Sequence, residues 1–224
     1  MRLAETRRAV AEAARELWRT GLVQGTSGNV SMRDEETGLI AMTPSAVAYD
    51  TLQPGDVAIV DVDARLVEGV FAPSTELPMH MEVYRRMPWV QAVVHTHSPY
   101  ATTFAALNRP IEPVHYLIAM AGERIPVAPY ATYGTPEIGR SAADTFGSGL
   151  AVLLEQHGVL TIGRSLAQAM IVASVTEYVA RIYHQALVIG TPVTLPQDEL
   201  GRLKDKFAGY KVVPAVEEAL GPSA

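Results

Sequence analysis

The segment WVQAVVHTHSPYATTFAAL, Trp89–Leu107, decides how the rest of the chain is read. Its first half is apolar and β-branched and reads as a strand. Its second half opens with Ser98 and Pro99, residue types suited to a helix N-cap and first helical position. A strand therefore runs into a helix, and His95 and His97 stand at the junction. Residues i and i+2 of a strand point to one side, with side chains starting roughly 6–7 Å apart. Two imidazoles so placed can converge on one ion while Thr96 faces away. A solvated polar strand face would give the same letters, so the surroundings must choose between the two.

Working outward, two residues favour the ion. His157 lies in LLEQHGVL between apolar runs, and Gly158 after it lets the backbone turn there. Taken alone, His157 reads as a satisfied core histidine. Glu76, in PSTE at an expected helix start, sits where the helix dipole favours a carboxylate, so simple capping would also account for it. Three histidines and a carboxylate would hold a first-row divalent ion, and zinc, manganese, cobalt and iron(II) all suit such donors. His80, four residues after Glu76, shares its helix face and rivals the others on spacing. His115 and His184 have no partner pattern and read as core or surface residues.

Bulk composition bounds the alternatives. The 224 residues are enough for one sizeable core, and 48% of them are hydrophobic. Charged residues make up 19%, which leaves room for a buried oligomer interface. The formal net charge of −6 argues against a nucleic-acid surface. An anion such as phosphate must then be held locally, by amides, hydroxyls or a metal. The chain has no cysteine, which excludes disulfides, iron–sulfur clusters and thiolate catalysis. The N-terminal residues carry charges throughout and lack an apolar signal core. Glu177, Arg181, His184 and Gln185 interrupt the most apolar stretch, Ser165–Gly190, which reads as a buried helix, not a membrane span. The expected location is the cytoplasm.

Residues 4–20 have helical spacing, with Val10, Ala13, Ala14 and Leu17 on one face and Gly21 closing the helix. LIAMTP and DVAIVDVD read as strands. PSTELPMHMEVYRRM reads as a helix capped by Ser74, with Pro78 in its first turn. RIPVAPYATYGTPEIGRSAADTF gives a short strand, a loop and a helix after Pro136. LAVLLEQHGVLTIG reads as a strand pair broken at Gln156–Gly158. A long helix and a tail with one short helix follow. Helices and strands mix without βαβ alternation, which suggests one α/β domain with a mainly antiparallel sheet covered by helices. GTSGN (Gly25–Asn29), TPSA (Thr43–Ala46) and PST (Pro73–Thr75) join these elements and offer hydroxyls and amides at turns. Each alone is ordinary turn chemistry; together with a metal constellation they suggest a phosphate cradle.

The ordered set GTSGNVSMR, MTPSAVAYDTL, PSTELPMHMEVYRRMP, AVVHTHSPYAT, PVHYLIAMAG, IPVAPYATYGT and LLEQHGVL resembles the class II aldolase/adducin family, and within it the L-fuculose-1-phosphate aldolase branch. The resemblance runs from the first helix to the tail. It implies an α/β fold in three layers, with a mainly antiparallel central sheet between helices, formed by residues 1–224 as one domain. Its tail, from about residue 196, would close over the active site. It implies a cytoplasmic homotetramer with active sites at subunit interfaces. Zinc would sit on Glu76, His95, His97 and His157, and His80 would be structural. Gly28, Asn29, Ser45, Ala46, Ser74 and Thr75 match the phosphate-holding positions, although Ala46 stands where the branch has Gly. Tyr116 matches a tyrosine lent by a neighbouring subunit as proton donor, and Tyr210 the tail tyrosine. Tyr133 stands at the aldehyde end, where the branch often has Phe.

The activity so implied is reversible cleavage of a ketose 1-phosphate, such as L-fuculose 1-phosphate, to dihydroxyacetone phosphate and an aldehyde such as L-lactaldehyde. A divalent Lewis acid would stabilise the enediolate charge, and Glu76 would be the base at carbon. No Schiff-base lysine is needed, and Lys204, Lys206 and Lys211 cluster in the tail. Pentulose-5-phosphate 4-epimerase and methylthioribulose-1-phosphate dehydratase are alternatives on the same scaffold. A non-enzymatic adducin-like role is a third, against which the intact ligand set argues.

Overall fold

The structure, a computed structural model, describes residues 1–208. The first helix, α1 (Ala4–Arg19), buries the expected face of Val10, Ala13, Ala14 and Leu17. Gly21 ends it with φ +74°, a left-handed conformation that costs glycine little. The strands β1 (Asn29–Arg33), β2 (Ile40–Met42) and β3 (Ala58–Val60) follow as the apolar patterning requires, and β4 (Leu66–Glu68) extends them. Then come α2 (Leu77–Arg86), β5 (Ala92–Thr96), α3 (Pro99–Ala106), β6 (Val127–Ala128), α4 (Pro136–Thr145), β7 (Ala151–Leu154), β8 (Gly158–Gly163), α5 (Leu166–Ile189) and α6 (Gln197–Ala208). Among the described residues, no helix is long and apolar enough to cross a membrane.

All eight strands form one sheet in the order β4-β3-β2-β1-β5-β8-β7-β6. The expected antiparallel pairing needs correction at one edge: β6 pairs parallel with β7, so the sheet is mixed. The other strand pairs are antiparallel. Chain direction explains the exception. The β7–β8 hairpin forces an antiparallel turn, whereas β6 reaches β7 through α4, a crossover long enough to bring the chain back in the same sense.

The central strand β5 shows how the sheet is buried. Ala92 and Val94 pack among α1 and the start of α5, while Val93 packs on the opposite face among α2 and α4. All three are fully buried, and removing each valine from water contributes roughly 1.5–3 kcal/mol. Helices thus bear on both faces, and a third apolar cluster joins α3 and α5 to β7 and β8. His95 has the parity of Val93 and faces the N-terminus of α2. Its cross-strand neighbours are Asn29 of β1 and Leu160 of β8.

Candidate metal centre and substrate recess

Three chain segments meet where β5 ends. The β5 strand supplies His95, and His97 follows one residue beyond it. The turn between β7 and β8 supplies His157. Glu76 is the N-cap of α2. Ser74 was expected there instead; its hydroxyl accepts the Glu76 N–H at 3.2 Å, so it ties the turn without capping the helix. That leaves the Glu76 side chain free to turn towards the histidines.

The ligand atoms of Glu76, His95, His97 and His157 all lie within 4.8 Å of one another. His95 Nδ1 donates to the Val159 carbonyl at 2.8 Å, which places the lone pair on Nε2 facing inwards. That atom is 2.9 Å from His97 Nε2 and 3.2 Å from Glu76 Oε2. His157 Nε2 is 3.3 Å from Glu76 Oε1. Ligands at about 2.0–2.1 Å from a tetrahedral ion lie about 3.3 Å apart, so this spacing fits one. A second observation agrees: Glu76 Oε1 is buried and has no hydrogen-bond partner. An orphaned carboxylate oxygen among inward lone pairs needs a cation. The donor set, three imidazoles and a carboxylate, suits zinc and equally manganese, cobalt or iron(II).

Charges in the cluster follow from burial and proximity. Burial alone would raise the Glu76 pKa, but the neighbouring His95 and His157 and the Asn29 amide outweigh it and hold the carboxyl well below its ordinary range. Burial would lower His95, yet Glu76 outweighs it and raises that imidazole. His97 and His157 are lowered to about 4, by burial first and then by His95. Neutral imidazoles are the form that binds metal.

The rival ligand His80 is placed elsewhere. Its Nε2 lies 2.6 Å from Asn29 Oδ1, and the ring is fully buried behind the site. Burial lowers it to about 3, so it is neutral. His115 caps a short 3-10 turn at Tyr116–Met120, accepting the Leu117 N–H at 3.4 Å. His184 lies against Tyr100, remote from the cluster.

A recess of about 260 Å³ opens over Glu76, His97 and His157 and is walled by the three small-residue turns. Gly28 and Asn29 come from the first, Ser45 and Ala46 from the second, and Ser74 and Thr75 from the third. Thr26 and Ser27 join them, two hydroxyls that the GTSGN motif contained but that were not singled out. Gly28 is irreplaceable on two counts: φ is +73°, and a Cβ there would meet the His95 carbonyl at 2.7 Å. Tyr49 fixes this turn by donating to the Gly28 carbonyl at 2.6 Å, and burial pushes its phenol up to about 12. Ala46 occupies the left-handed region at φ 59°, where the glycine of the resembling branch would sit without strain.

Besides Ser74, two expected phosphate contacts are already engaged. The Asn29 amide donates from Nδ2 to Glu76 Oε2 at 2.8 Å and accepts from His80, which leaves it one free N–H. The Thr75 hydroxyl is 2.5 Å from the Tyr133 hydroxyl. Tyr133 lines the recess and presents its ring edgewise to His157, centroids 6.4 Å apart. Tyr116 does not line the recess of its own chain; it is 49% exposed and stacks on Phe207 of α6. Tyr210 lies outside the described residues.

Gly158 needs a correction of reason. The left-handed residue of the β7–β8 turn is Gln156, at φ 55°. Gly158 is needed because a Cβ there would meet the Thr96 carbonyl at 2.5 Å and His97 Cδ2 at 2.9 Å. The β8 strand, which begins directly after His157, can approach the strand carrying His95 only without a side chain at that point.

Comparison with known proteins gives the following. Residues 8–184 match the family model described as "Class II Aldolase and Adducin N-terminal domain". The chain is 40% identical over 210 residues to a 5-deoxy-D-ribulose 1-phosphate aldolase of Bacillus thuringiensis, covering 94% of this chain and 99% of that one. It is 37% identical over 205 residues to an L-fuculose phosphate aldolase of Escherichia coli K12, covering 91% and 94%. Its fold is similar to a solved L-fuculose 1-phosphate aldolase with a TM-score of 0.88 at 37% identity, over 91% of this chain and 96% of that one.

Proposed function

The chain belongs to the class II aldolase and adducin family, and from that premise we propose that it is a metal-dependent lyase that reversibly cleaves a ketose 1-phosphate to dihydroxyacetone phosphate and an aldehyde. The observation that carries this reading is the recess itself: four converging metal ligands share one small space with three turns rich in hydroxyls and amides. A substrate with a phosphate at one end and adjacent oxygens at the other suits that pairing. An adducin-like structural role would leave the ligand set without a purpose.

Glu76, His95, His97 and His157 would hold one zinc ion per subunit. Bound there, the ion would supply Lewis acidity to the carbonyl oxygen next to the breaking bond. The phosphate would rest on the hydroxyls of Ser45, Ser74 and Thr75, on amides of the Gly28 and Ala46 turns, and on the remaining Asn29 N–H. In synthesis, Glu76 would take the carbon proton of dihydroxyacetone phosphate and pass it to solvent; in cleavage it would take up a proton from solvent and deliver it to the same carbon. The buried place of Glu76 at the floor of the recess, beside the ligands, puts its carboxylate where a base at that carbon would have to be.

A second proton must leave the hydroxyl next to the breaking C–C bond and end on solvent. The family resemblance gives that exchange to Tyr116 of a neighbouring subunit, and a half-exposed ring outside the recess of its own chain is compatible with it. This assignment entails an oligomer with interfacial sites, and the family resemblance makes that a homotetramer. Tyr133 and the tail with Tyr210 would face the aldehyde. The relatives support two sugar classes: 5-deoxyribulose 1-phosphate, from the 40% identical aldolase, and L-fuculose 1-phosphate.

The test is product identity. Metal-loaded protein is incubated with both ketose 1-phosphates, ribulose 5-phosphate and 5-methylthioribulose 1-phosphate. Equal release of dihydroxyacetone phosphate and the matching aldehyde supports the lyase. An epimerised pentulose phosphate, or loss of water without chain cleavage, would replace it with the epimerase or the dehydratase.

A further inference from the structure

Behind the recess, Glu76 is reached by a line of buried polar groups. Tyr84 Oη lies 2.8 Å from Ser31 Oγ, which lies 2.7 Å from His80 Nδ1. His80 Nε2 lies 2.6 Å from Asn29 Oδ1, and Asn29 Nδ2 lies 2.8 Å from Glu76 Oε2. Ser31 and His80 are fully buried, and Tyr84 and Asn29 almost so. Water cannot mend a broken link, so each partner has to be the right one.

Chemistry fixes the direction of this line. The Glu76 carboxylate accepts only, so Asn29 must present its NH₂ to it. That turns the amide oxygen to His80, whose Nε2 must therefore carry a hydrogen. A neutral ring protonated at Nε2 has a lone pair at Nδ1, so Ser31 donates there. Ser31 Oγ then accepts from the Tyr84 hydroxyl. Every proton along the line points towards Glu76.

We propose that His80, held as the neutral Nε2–H tautomer by the Asn29 oxygen and paired at Nδ1 by Ser31, is a positioning residue for Glu76 and acts through Asn29. It locks the amide the way round that gives Glu76 Oε2 a donor and leaves Oε1, the buried oxygen without a partner, for the metal. The inference rests on the lyase reading only for its effect on turnover.

The test starts with the wild-type protein, so it does not depend on a variant folding. Nitrogen-15 NMR of the metal-free protein is expected to show His80 as a neutral ring protonated at Nε2; a ring protonated at Nδ1, or at both nitrogens, overturns the proposal. Zinc affinity is then measured by chelator competition. Glutamine can place an amide N–H near the position of Nε2, whereas leucine fills space without donating. H80Q is expected to bind zinc within about threefold of wild type, and H80L roughly 10–100-fold more weakly, the usual range for a lost partner of a metal ligand. S31A removes the donor that pairs the His80 Nδ1 lone pair and should fall between them. A residue that only filled space would give the reverse order, H80L tight and H80Q weak. Should H80L not fold, S31A with wild-type zinc affinity would refute the role of the line behind Glu76. Wild-type protein that binds zinc but cleaves no ketose phosphate would sink the lyase reading and leave these zinc and NMR results to decide the positioning role separately.

Discussion

Replacing Gly158 with alanine tests whether the approach of β8 to β5 sets the metal site. Gly158 is outside the left-handed region, so alanine is acceptable to its backbone and would by itself add about 0.4–1 kcal/mol through the unfolded chain. The new Cβ, however, would lie 2.5 Å from the Thr96 carbonyl, 2.9 Å from His97 Cδ2 and 3.2 Å from His95 Cε1. Carbon atoms pack best at about 3.5–4.0 Å, so the strands must part by several tenths of an ångström or more. Overpacking of this kind costs about 1–3 kcal/mol. The net loss is about 1–2 kcal/mol, or about 2–8 °C in Tm for a chain of this length. Because two of the three displaced groups are metal ligands, zinc affinity should fall about tenfold or more. Calorimetry of the metal-free protein and chelator competition read the two effects. Gly201 in α6, where a Cβ meets nothing within 4 Å, is the control: G201A should raise stability by about 1 kcal/mol and leave zinc binding alone. A G158A protein with wild-type Tm and zinc affinity would refute the reasoning.

Other expectations concern single groups. E76Q should retain metal but lose about 10²–10⁴ in turnover, and full activity with metal bound would remove Glu76 as the base. H95A should bring down no metal by elemental analysis, since it deletes the ligand that faces two others; wild-type content would break the assignment. A46G should gain about 1 kcal/mol by relieving a left-handed alanine, seen as a higher Tm, and an unchanged or lower Tm would count against the strain. Acid should weaken the metal-free protein through His80. Its folded-state value of about 3 is below the unfolded one, so the unfolded chain takes up a proton that the folded chain refuses. Stability is therefore lost as pH falls through about 6.5, by about 1.4 kcal/mol per pH unit near pH 5, until the folded-state value is reached. H80Q should flatten that slope by the same amount; an unaltered slope would show that His80 is not the group excluding the proton.

How much of this was legible in the sequence depends on the range of each interaction. The pair His95 and His97 was readable because strand periodicity is local and their side chains must share a face. The β7–β8 break and the caps at Ser98 and Pro99 were readable for the same reason. Ser74 was misplaced as N-cap because Ser and Glu both suit a helix start, and only the histidines across the fold explain why Glu76 takes the position and turns its side chain away. The β4 strand carries no buried alternation, since it lies at an edge and its residues are largely exposed. The parallel edge at β6 depends on a crossover, not on its two residues. Least legible was the line behind Glu76. His80 and Tyr84 are four apart on one helix, but Ser31 lies 49 residues from His80, and nothing local to either announces the bond.

The most direct measurement is a zinc titration of chelator-stripped protein, following dihydroxyacetone phosphate released from 5-deoxyribulose 1-phosphate and L-fuculose 1-phosphate. The account predicts no release without metal, then a rate that rises in proportion to zinc and breaks at one ion per chain, with the break absent in H95A. Undiminished release from stripped wild-type protein, or full activity in H95A, would contradict it.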